Sequence, residues 1–368
     1  MEVRSVAVLG GGNGGCAAAA DLTDRGYEVR LFSRARERLD HIRERGGLQM
    51  TGLRSVFAPV AVVTDEIDLA VRGAQLVMLA VPISAHPWYA AALAEILEPE
   101  QIVFLNPGHM GGGLFFAHEI HRLTRRTDVR TCEVTTLSYV CRLKGPAEVN
   151  VIRMVSKLPF SAFPGRLGDE LFEAIRSIYP DVVRAANVLE TGFLDINAVE
   201  HPPQAICNAG WVESTRGDYL FYRDGTTPSV GRVIDAVDRE RLAIAAAAGI
   251  STKPFVEIFA ETGYTTEAAA RSGSAHVALQ ESAPNRWIKG PPSLDHRYLH
   301  EDVGWGLVPW SAIGESLGVA TPTIDALIAV GSTISGIDYR CEGLTLERLG
   351  LRGRDLGDLS SFLWEGIA

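Results

Sequence analysis

The most constraining stretch of this chain lies at residues 6–20. Val6-Ala7-Val8-Leu9 runs into Gly10-Gly11-Gly12-Asn13-Gly14-Gly15, and Cys16-Ala17-Ala18-Ala19-Ala20 leads out of it. The apolar run reads as a buried strand and the alanine segment as a helix. Between them Gly10, Gly12 and Gly15 stand at the G-x-G-x-x-G spacing. In a strand–turn–helix setting the first glycine permits the tight turn and the second lets backbone approach a pyrophosphate. The third lets the helix pack closely on the strand. The free N–H groups at the helix start, with the helix dipole, make an anion site. A glycine-rich hairpin or linker would share the composition. It would not open a helix and then be followed by a second apolar strand at 27–32, which closes a βαβ unit. The stretch therefore reads as a dinucleotide site, with Gly10, Gly12, Asn13, Gly14 and Gly15 at the cofactor.

The end of the second strand bears on which cofactor. An NAD site usually places Asp or Glu about 20 residues beyond the glycines, on the ribose 2′-hydroxyl. Here Ser33 and Arg34 hold that place, with Arg36 and Arg38 close behind. A hydroxyl and a guanidinium suit a 2′-phosphate, which an acidic side chain would repel. NADP(H) is the preferred expectation, and NAD(H) remains possible.

Strand and helix patterns then alternate. Residues 60–64, 76–81 and 102–105 read as strands, 65–72 as a short helix, and 84–97 as a helix capped by Ser84. Val81 and Pro82, at the end of the central strand, are assigned to the cofactor site. So are Asn106, Pro107 and Gly108, which open a second glycine-rich loop at the carboxyl end of a strand. Further strands are expected near 129–135 and 149–155, and a helix at 166–178. The fold class is α/β, an N-terminal Rossmann domain with a doubly wound, mostly parallel sheet. Beyond residue 190 the periodicity becomes helical, at 232–248, 253–262, 310–317 and 323–335. We expect a dinucleotide-binding domain at 1–187 and an all-helical C-terminal domain carrying substrate and catalytic groups at 188–368.

Composition limits the partners. The 368 residues carry a formal charge of −10 with no basic tract, so neither nucleic acid nor an acidic membrane surface is an expected partner. Apolar runs stay well short of a membrane span, and the first strand begins too early for a signal peptide. The five cysteines, 16, 132, 141, 207 and 341, are odd in number and scattered, which points to a reducing cytoplasm. The expected partners are small-molecule substrates, and the expected assembly is a homodimer.

Two clusters in the second half can carry chemistry. In Asn197-Ala198-Val199-Glu200-His201-Pro202-Pro203, an imidazole suited to proton transfer near neutrality stands before two prolines. The His-Pro-Pro corner is expected to end a helix. The second cluster, Ser293 to Val303, packs Asp295, His296, Arg297, His300, Glu301 and Asp302 together. Arg297 can bind a carboxylate bidentately, and Asp302 can orient a histidine and stabilise its charged form. A solvated ion-pair face and a packed histidine are the plainer alternatives for these clusters. His118-Glu119-Ile120-His121 spaces its histidines three apart, where a zinc helix needs four, and no metal is assigned.

Taken together, the chain resembles the opine dehydrogenases, the family of octopine and nopaline dehydrogenases and of N-(carboxyethyl)norvaline dehydrogenase. The resemblance covers nearly the whole chain. It rests on Leu9 to Gly15, Leu105-Asn106-Pro107-Gly108, Thr135-Thr136 with Cys141-Arg142, and Asn197 to Pro202. It extends through Thr227-Pro228-Ser229-Val230-Gly231, Asp238-Arg239-Glu240-Arg241-Leu242 and His296 to Val303. The resemblance implies a Rossmann domain and a helical domain with the active site in the cleft between them. It implies NAD(P)H-dependent, reversible condensation of an amino acid amine with a 2-oxo acid. It also implies that His201 is the catalytic histidine, Asp302 its partner and Arg297 the substrate-carboxylate arginine. Two other readings stay open at this point. One is a ketopantoate-reductase-like or 2-hydroxyacid dehydrogenase that reduces a carbonyl without amine, and the other a non-catalytic NADP(H)-sensing protein.

Overall fold

The opening apolar run becomes strand β1 (Ser5–Leu9) and the alanine segment helix α1 (Asn13–Asp24) in the computed structural model, which describes residues 2–356 and 358–367. The chain continues through β2 (Glu28–Phe32), α2 (Arg36–Arg45), β3 (Leu48–Gly52), β4 (Val56–Ala58), β5 (Val62–Thr64) and α3 (Ile67–Val71). Next come β6 (Leu76–Leu79), α4 (His86–Ala94), β7 (Ile102–Leu105), α5 (Gly112–Thr124) and β8 (Arg130–Val134). Then follow β9 (Tyr139–Gly145), β10 (Glu148–Met154), β11 (Leu158–Phe163), α6 (Gly168–Ile178) and β12 (Val182–Arg184). Eight strands form one sheet in the order β12-β11-β8-β7-β6-β1-β2-β5, parallel except where β11 meets β8. The strand order turns back between β1 and β6, and such a switch point is where open α/β sheets bind ligands.

A second sheet was not foreseen. Residues 149–155 read as one more strand of the doubly wound sheet, but β10 instead joins a four-stranded sheet in the order β4-β3-β10-β9. Helix α1 packs on β1 and β2 on one side and on all four strands of the small sheet on the other. That is why residues Gly14 to Leu22 are buried without a break and why so many are alanine: two sheets close on one helix. Asp21, buried among them, is satisfied by the Tyr139 hydroxyl at 2.9 Å, by Arg25 at 3.2 Å and by Arg54. Ser84 does not cap a helix. A 3₁₀ turn at Ile83–Ala85 precedes α4, whose N-cap is Ala85.

Helix α7 (Val188–Leu194) carries the chain into a helical region. It comprises α8 (Asn197–Cys207), α9 (Ala209–Thr215), α10 (Pro228–Ala247), α11 (Phe255–Glu261), α12 (Glu267–Ala270) and α13 (Ala275–Gln280). It continues with α14 (Arg297–His300), a π-helical turn at Asp302–Leu307, α15 (Val308–Ser316), α16 (Pro322–Ser335) and α17 (Tyr339–Glu342), before α18 (Ser360–Glu365). Here Asp238 and Arg241 form a buried ion pair at 2.6 Å, and Glu240 caps α16 by accepting from the Thr323 and Ile324 N–H groups. This acid–base run is structural.

The chain divides into two compact units, Met1–Thr191 with Ser360–Ala368, and Gly192–Leu359. The sequence puts the division after residue 187 and the tail with the helices. Thr191 stays with the first unit because its hydroxyl meets Glu133 Oε1 at 2.5 Å and Ser161 Oγ at 2.8 Å. Helix α18 joins that unit where Leu363 and Trp364 back onto Gly165. Among the described residues no helix is long and apolar enough to cross a membrane.

Candidate active site

The glycine turn after β1 has one open position and two closed ones. Gly10 has φ +128°, and a Cβ there would fall 2.5 Å from the Ala80 carbonyl. At Gly15 a Cβ would lie 1.6 Å from the Gly10 carbonyl oxygen, so helix and turn are in direct contact. Gly12, by contrast, meets nothing within 4 Å. It is the N-cap of α1, and no side chain caps that end. An uncapped helix start behind an open glycine is a cradle that fits a dinucleotide pyrophosphate.

The other residues assigned to the cofactor divide into two groups. Gly14 faces Leu137, Asn13 accepts from the Leu143 N–H at 2.8 Å, and Val81 packs against Gly10, just ahead of Pro82. Asn106 is fully buried ahead of the cis bond to Pro107 and accepts from Ser138 N–H at 2.9 Å and Oγ at 3.0 Å. Gly108 bonds to the Val134 carbonyl at 2.9 Å and leaves no room for a Cβ beside Glu133. These contacts shape the rim from within the protein. Beyond β2, Ser33 is buried against Gly11 and accepts from the Ala35 N–H at 3.2 Å. Arg34 is exposed and lies over the Trp88 ring, 4.8 Å from its centroid, while Trp88 stacks on Phe32. Arg36 pairs with Asp65 at 2.6 Å, and Arg38 donates to the Gly11 carbonyl.

In the helical unit, α8 overturns one expectation. His201-Pro202-Pro203 does not end a helix, because α8 runs from Asn197 through both prolines to Cys207. The prolines forfeit two intrahelical hydrogen bonds, yet residues Ala198 to Ala205 are buried, and this packing outweighs the local preference. His201 is thus fixed inside a buried helix. Its Nδ1 lies 2.8 Å from Asp302 Oδ2, with both side chains at most 5% exposed. Asp302 opens the π-helical turn, where Gly306 lies against Ala198 of α8 so closely that a Cβ would fall 2.4 Å from the alanine methyl. Two residues a hundred positions apart meet because those two backbones nearly touch.

The second ring nitrogen is also occupied. Tyr222 Oη lies 2.9 Å from His201 Nε2. With Asp302 accepting from Nδ1–H, Nε2 is the acceptor for Tyr222. Burial pushes the Tyr222 phenol well above its ordinary range, so it stays a donor. Gln204 Nε2 holds Thr226 Oγ1 at 2.5 Å, and Asn208 holds the Gly225 carbonyl at 2.9 Å, tying the Tyr222 loop to α8. Tyr298 stacks on the imidazole at 4.1 Å between centroids, and Phe221 stacks on Tyr298 at 4.6 Å.

Arg297 keeps a half-exposed side chain, with Nε 3.5 Å from the buried Glu301 carboxylate. His296 caps α14; burial, then the Arg297 guanidinium, push its imidazole down to about 4. Asp295 and His300 pair with one another at 2.8 Å, and His300 meets Tyr339 at 2.8 Å. The two clusters therefore join through His201, Asp302 and Tyr298. In the sequence Tyr222 is signalled only by the aromatic-rich run Tyr219-Leu220-Phe221-Tyr222, in a loop where a solvated turn would carry polar residues. Glu200 carries no signal there beyond its place beside the histidine, and it is buried.

Comparison with known proteins decides the family. Residues 184–335 match the model of the NAD/NADP octopine/nopaline dehydrogenase alpha-helical domain. Residues 5–145 match that of the NAD-dependent glycerol-3-phosphate dehydrogenase N-terminus. The chain is 36% identical over 355 residues to an opine dehydrogenase of Arthrobacter sp. (strain 1C), covering 96% of this chain and 97% of that one. This chain belongs to the opine dehydrogenase family. It is an NAD(P)-dependent oxidoreductase with the N-terminal parallel sheet and C-terminal helical domain of that family. Its fold is similar to octopine dehydrogenase solved with NADH and L-arginine, with a TM-score of 0.79 at 21% identity, covering 99% of this chain and 98% of that one. It is also similar to yersinopine dehydrogenase solved with NADP+, with a TM-score of 0.75 at 16% identity, covering 99% and 98%. For this opine dehydrogenase family member, the alternatives of a carbonyl reductase working without amine and of a non-catalytic sensor are set aside.

Proposed function

We propose that this family member joins the amine of an L-amino acid to a 2-oxo acid with NADPH in preference to NADH. In this reading His201 and Asp302 are the acid–base pair and Arg297 is the carboxylate anchor. The observation that carries the reading is the 2.8 Å pair of buried His201 and Asp302. A carboxylate on Nδ1 fixes the tautomer and stabilises the imidazolium, so Nε2 can take and return a proton. Arg297 presents a guanidinium that is only partly used by Glu301 and suits the oxo acid carboxylate. The neutral amine attacks the carbonyl carbon, and protonation of the oxygen by His201 lets it leave as water. Bound NADPH supplies the hydride that reduces the resulting imine carbon. Tyr298, stacked on the imidazole, and the Tyr222 loop keep the ring from turning and shield it from water.

The preference for NADPH is supported by Ser33 and Arg34 at the end of β2, where no acid stands to repel a 2′-phosphate. A reducing cytoplasm is supported by five cysteines that are all free.

The test is a double-mutant cycle with NADPH oxidation as readout, using pyruvate, 2-oxoglutarate and glyoxylate against a panel of amino acids. His201→Ala is expected to lower kcat by about 10²–10⁴ with NADPH affinity unchanged. Asp302→Asn is expected to slow turnover, and the double variant to be little worse than His201→Ala, because residues acting as a unit are not additive. Multiplicative losses would detach Asp302 from the histidine, and wild-type turnover by His201→Ala would remove the acid–base assignment.

A further inference from the structure

One buried carboxyl in the helical unit has no role in the chemistry so far described. Glu200 is 4% exposed, and its Oε2 has no hydrogen-bond partner. Its Oε1 lies 3.7 Å from His201 Nε2, the ring nitrogen that Asp302 does not use. An ionised carboxylate buried without a partner costs several kcal/mol, so such a group keeps its proton. The groups that face it strengthen this. Burial first, then the carboxylates of Asp302 and Asp195, hold the Glu200 carboxyl well above its ordinary range. His201 adjoins it on α8, and the Tyr222 and Tyr298 phenols face it from their loop and from α14, where an ionised Glu200 would hold their protons more tightly. The Arg297 guanidinium is drawn to the Glu301 and Asp302 carboxylates.

Proton accounting gives this stored proton a use. An amino acid enters as an ammonium, and the two protons it loses in becoming the iminium leave with the carbonyl oxygen as water. Hydride completes the C–H bond. One further proton is needed to leave the product nitrogen as an ammonium, and neither substrate brings it. His201, at 4% exposure between Asp302 and Tyr222, has Glu200 as a buried acid 3.7 Å from its Nε2.

We propose that Glu200 is a second proton carrier of this site, exchanging its proton with His201 at Nε2. The proposal rests on the reading of His201 as the acid–base group. The Glu200 O–H bond breaks as the Nε2–H bond forms, and the Tyr222 hydroxyl, a donor to bare Nε2, rotates to accept from it. The Nε2–H bond then breaks as the product nitrogen takes the proton. Solvent reprotonates the Glu200 carboxylate between turnovers, and in the oxidative direction each transfer runs backwards.

The deciding variant is Glu200→Gln, which keeps the shape but has no acid proton. We expect it to bind NADPH as wild type does and to lose about 10²-fold in kcat, the low end for a positioned proton-transfer group. Its kcat should fall steadily with pH across the range where wild type is flat, because only solvent protons remain. Glu200→Asp, which restores an acid, should recover part of the rate and the flat profile. Wild-type kcat and pH profile in Glu200→Gln would overturn the proposal. Should Glu200→Gln fail to bind NADPH, the infrared carbonyl band of a protonated acid at neutral pH decides. A band present in wild type and shifted or lost in Glu200→Asp would assign the proton to Glu200 and support the proposal, whereas its absence from wild type, or an identical band in both, would count against it. Wild-type turnover by His201→Ala sinks the reading beneath; an inactive His201→Ala beside a wild-type Glu200→Gln sinks only the carrier.

Discussion

Gly306 and Ala198 stand so close that a Cβ on the glycine would fall 2.4 Å from the alanine methyl. This approach seats the π-helical turn on α8 and sets Asp302 against His201. Gly306→Ala should push the turn outward and cost roughly 1–3 kcal/mol of stability, the usual range for overpacking. An acid–base pair displaced by about 1 Å should cost about 10²-fold in kcat, with NADPH affinity intact. Steady-state kinetics and a cofactor titration check both, and a wild-type kcat would mean that Asp302 is held by something else.

Arg34 lies over Trp88 at the end of β2. Arg34→Ala should weaken NADPH by roughly 1.5–3 kcal/mol, as expected for a hydrogen bond to a charged group, and leave NADH nearly unchanged. Fluorescence titration with each cofactor measures this. Equal losses would show that the guanidinium serves only as a stacking wall.

Arg297→Lys keeps the charge but loses the two-pronged geometry that matches a carboxylate. The KM for the 2-oxo acid should rise about tenfold or more, from a loss of roughly 1.5–3 kcal/mol, while the NADPH dissociation constant holds. A variant whose cofactor affinity falls instead would move Arg297 to the nucleotide.

His86, at the start of α4, is fully buried and has no hydrogen-bond partner on either ring nitrogen. Burial first, then the charge of His109, push it down to about 3 from its ordinary 6.5. The unfolded chain therefore takes up a proton near pH 6.5 that the folded chain refuses until about pH 3. Stability from this group is complete above pH 6.5 and drains away as pH falls, by up to roughly 4–5 kcal/mol in order of magnitude. His86→Phe keeps the edge-on contact with Phe116 and should raise Tm below pH 6 more than at pH 8. The same gain at both values would show that His86 does not titrate on unfolding.

The nucleotide half was legible where structure is local. Strand, turn and helix at residues 5–24 follow from neighbours in sequence, because the apolar run, the glycine spacing and the alanine run that carry them are all local. The small sheet was not, since β3 and β10 carry no signal of whom they pair with; Gln49 meets Glu148 only through the fold. Likewise His201 before two prolines reads as a helix end, and only the burial of α8 reverses it. The chemistry-bearing types at 201, 297 and 302 could be read, whereas Glu200 and Tyr222 could not. Their roles depend on which ring nitrogen they reach, and that is set by a loop stapled to α8 and by the π-helical turn.

The double burial of α1 has a consequence for how the protein is made. The face of α1 that meets the main sheet is covered once β1 and β2 have formed, but its other face meets only β3 and β4 until β9 and β10 arrive. Those strands leave the ribosome about a hundred residues after β3, so the pairing of Gln49 with Glu148 closes a long loop and comes late. Until then an apolar helix at the heart of the nucleotide fold is only half covered on one side, a surface for chaperones and for aggregation alike. A chain stopped after β8 would hold every glycine of the cofactor turn and still be an unfinished molecule.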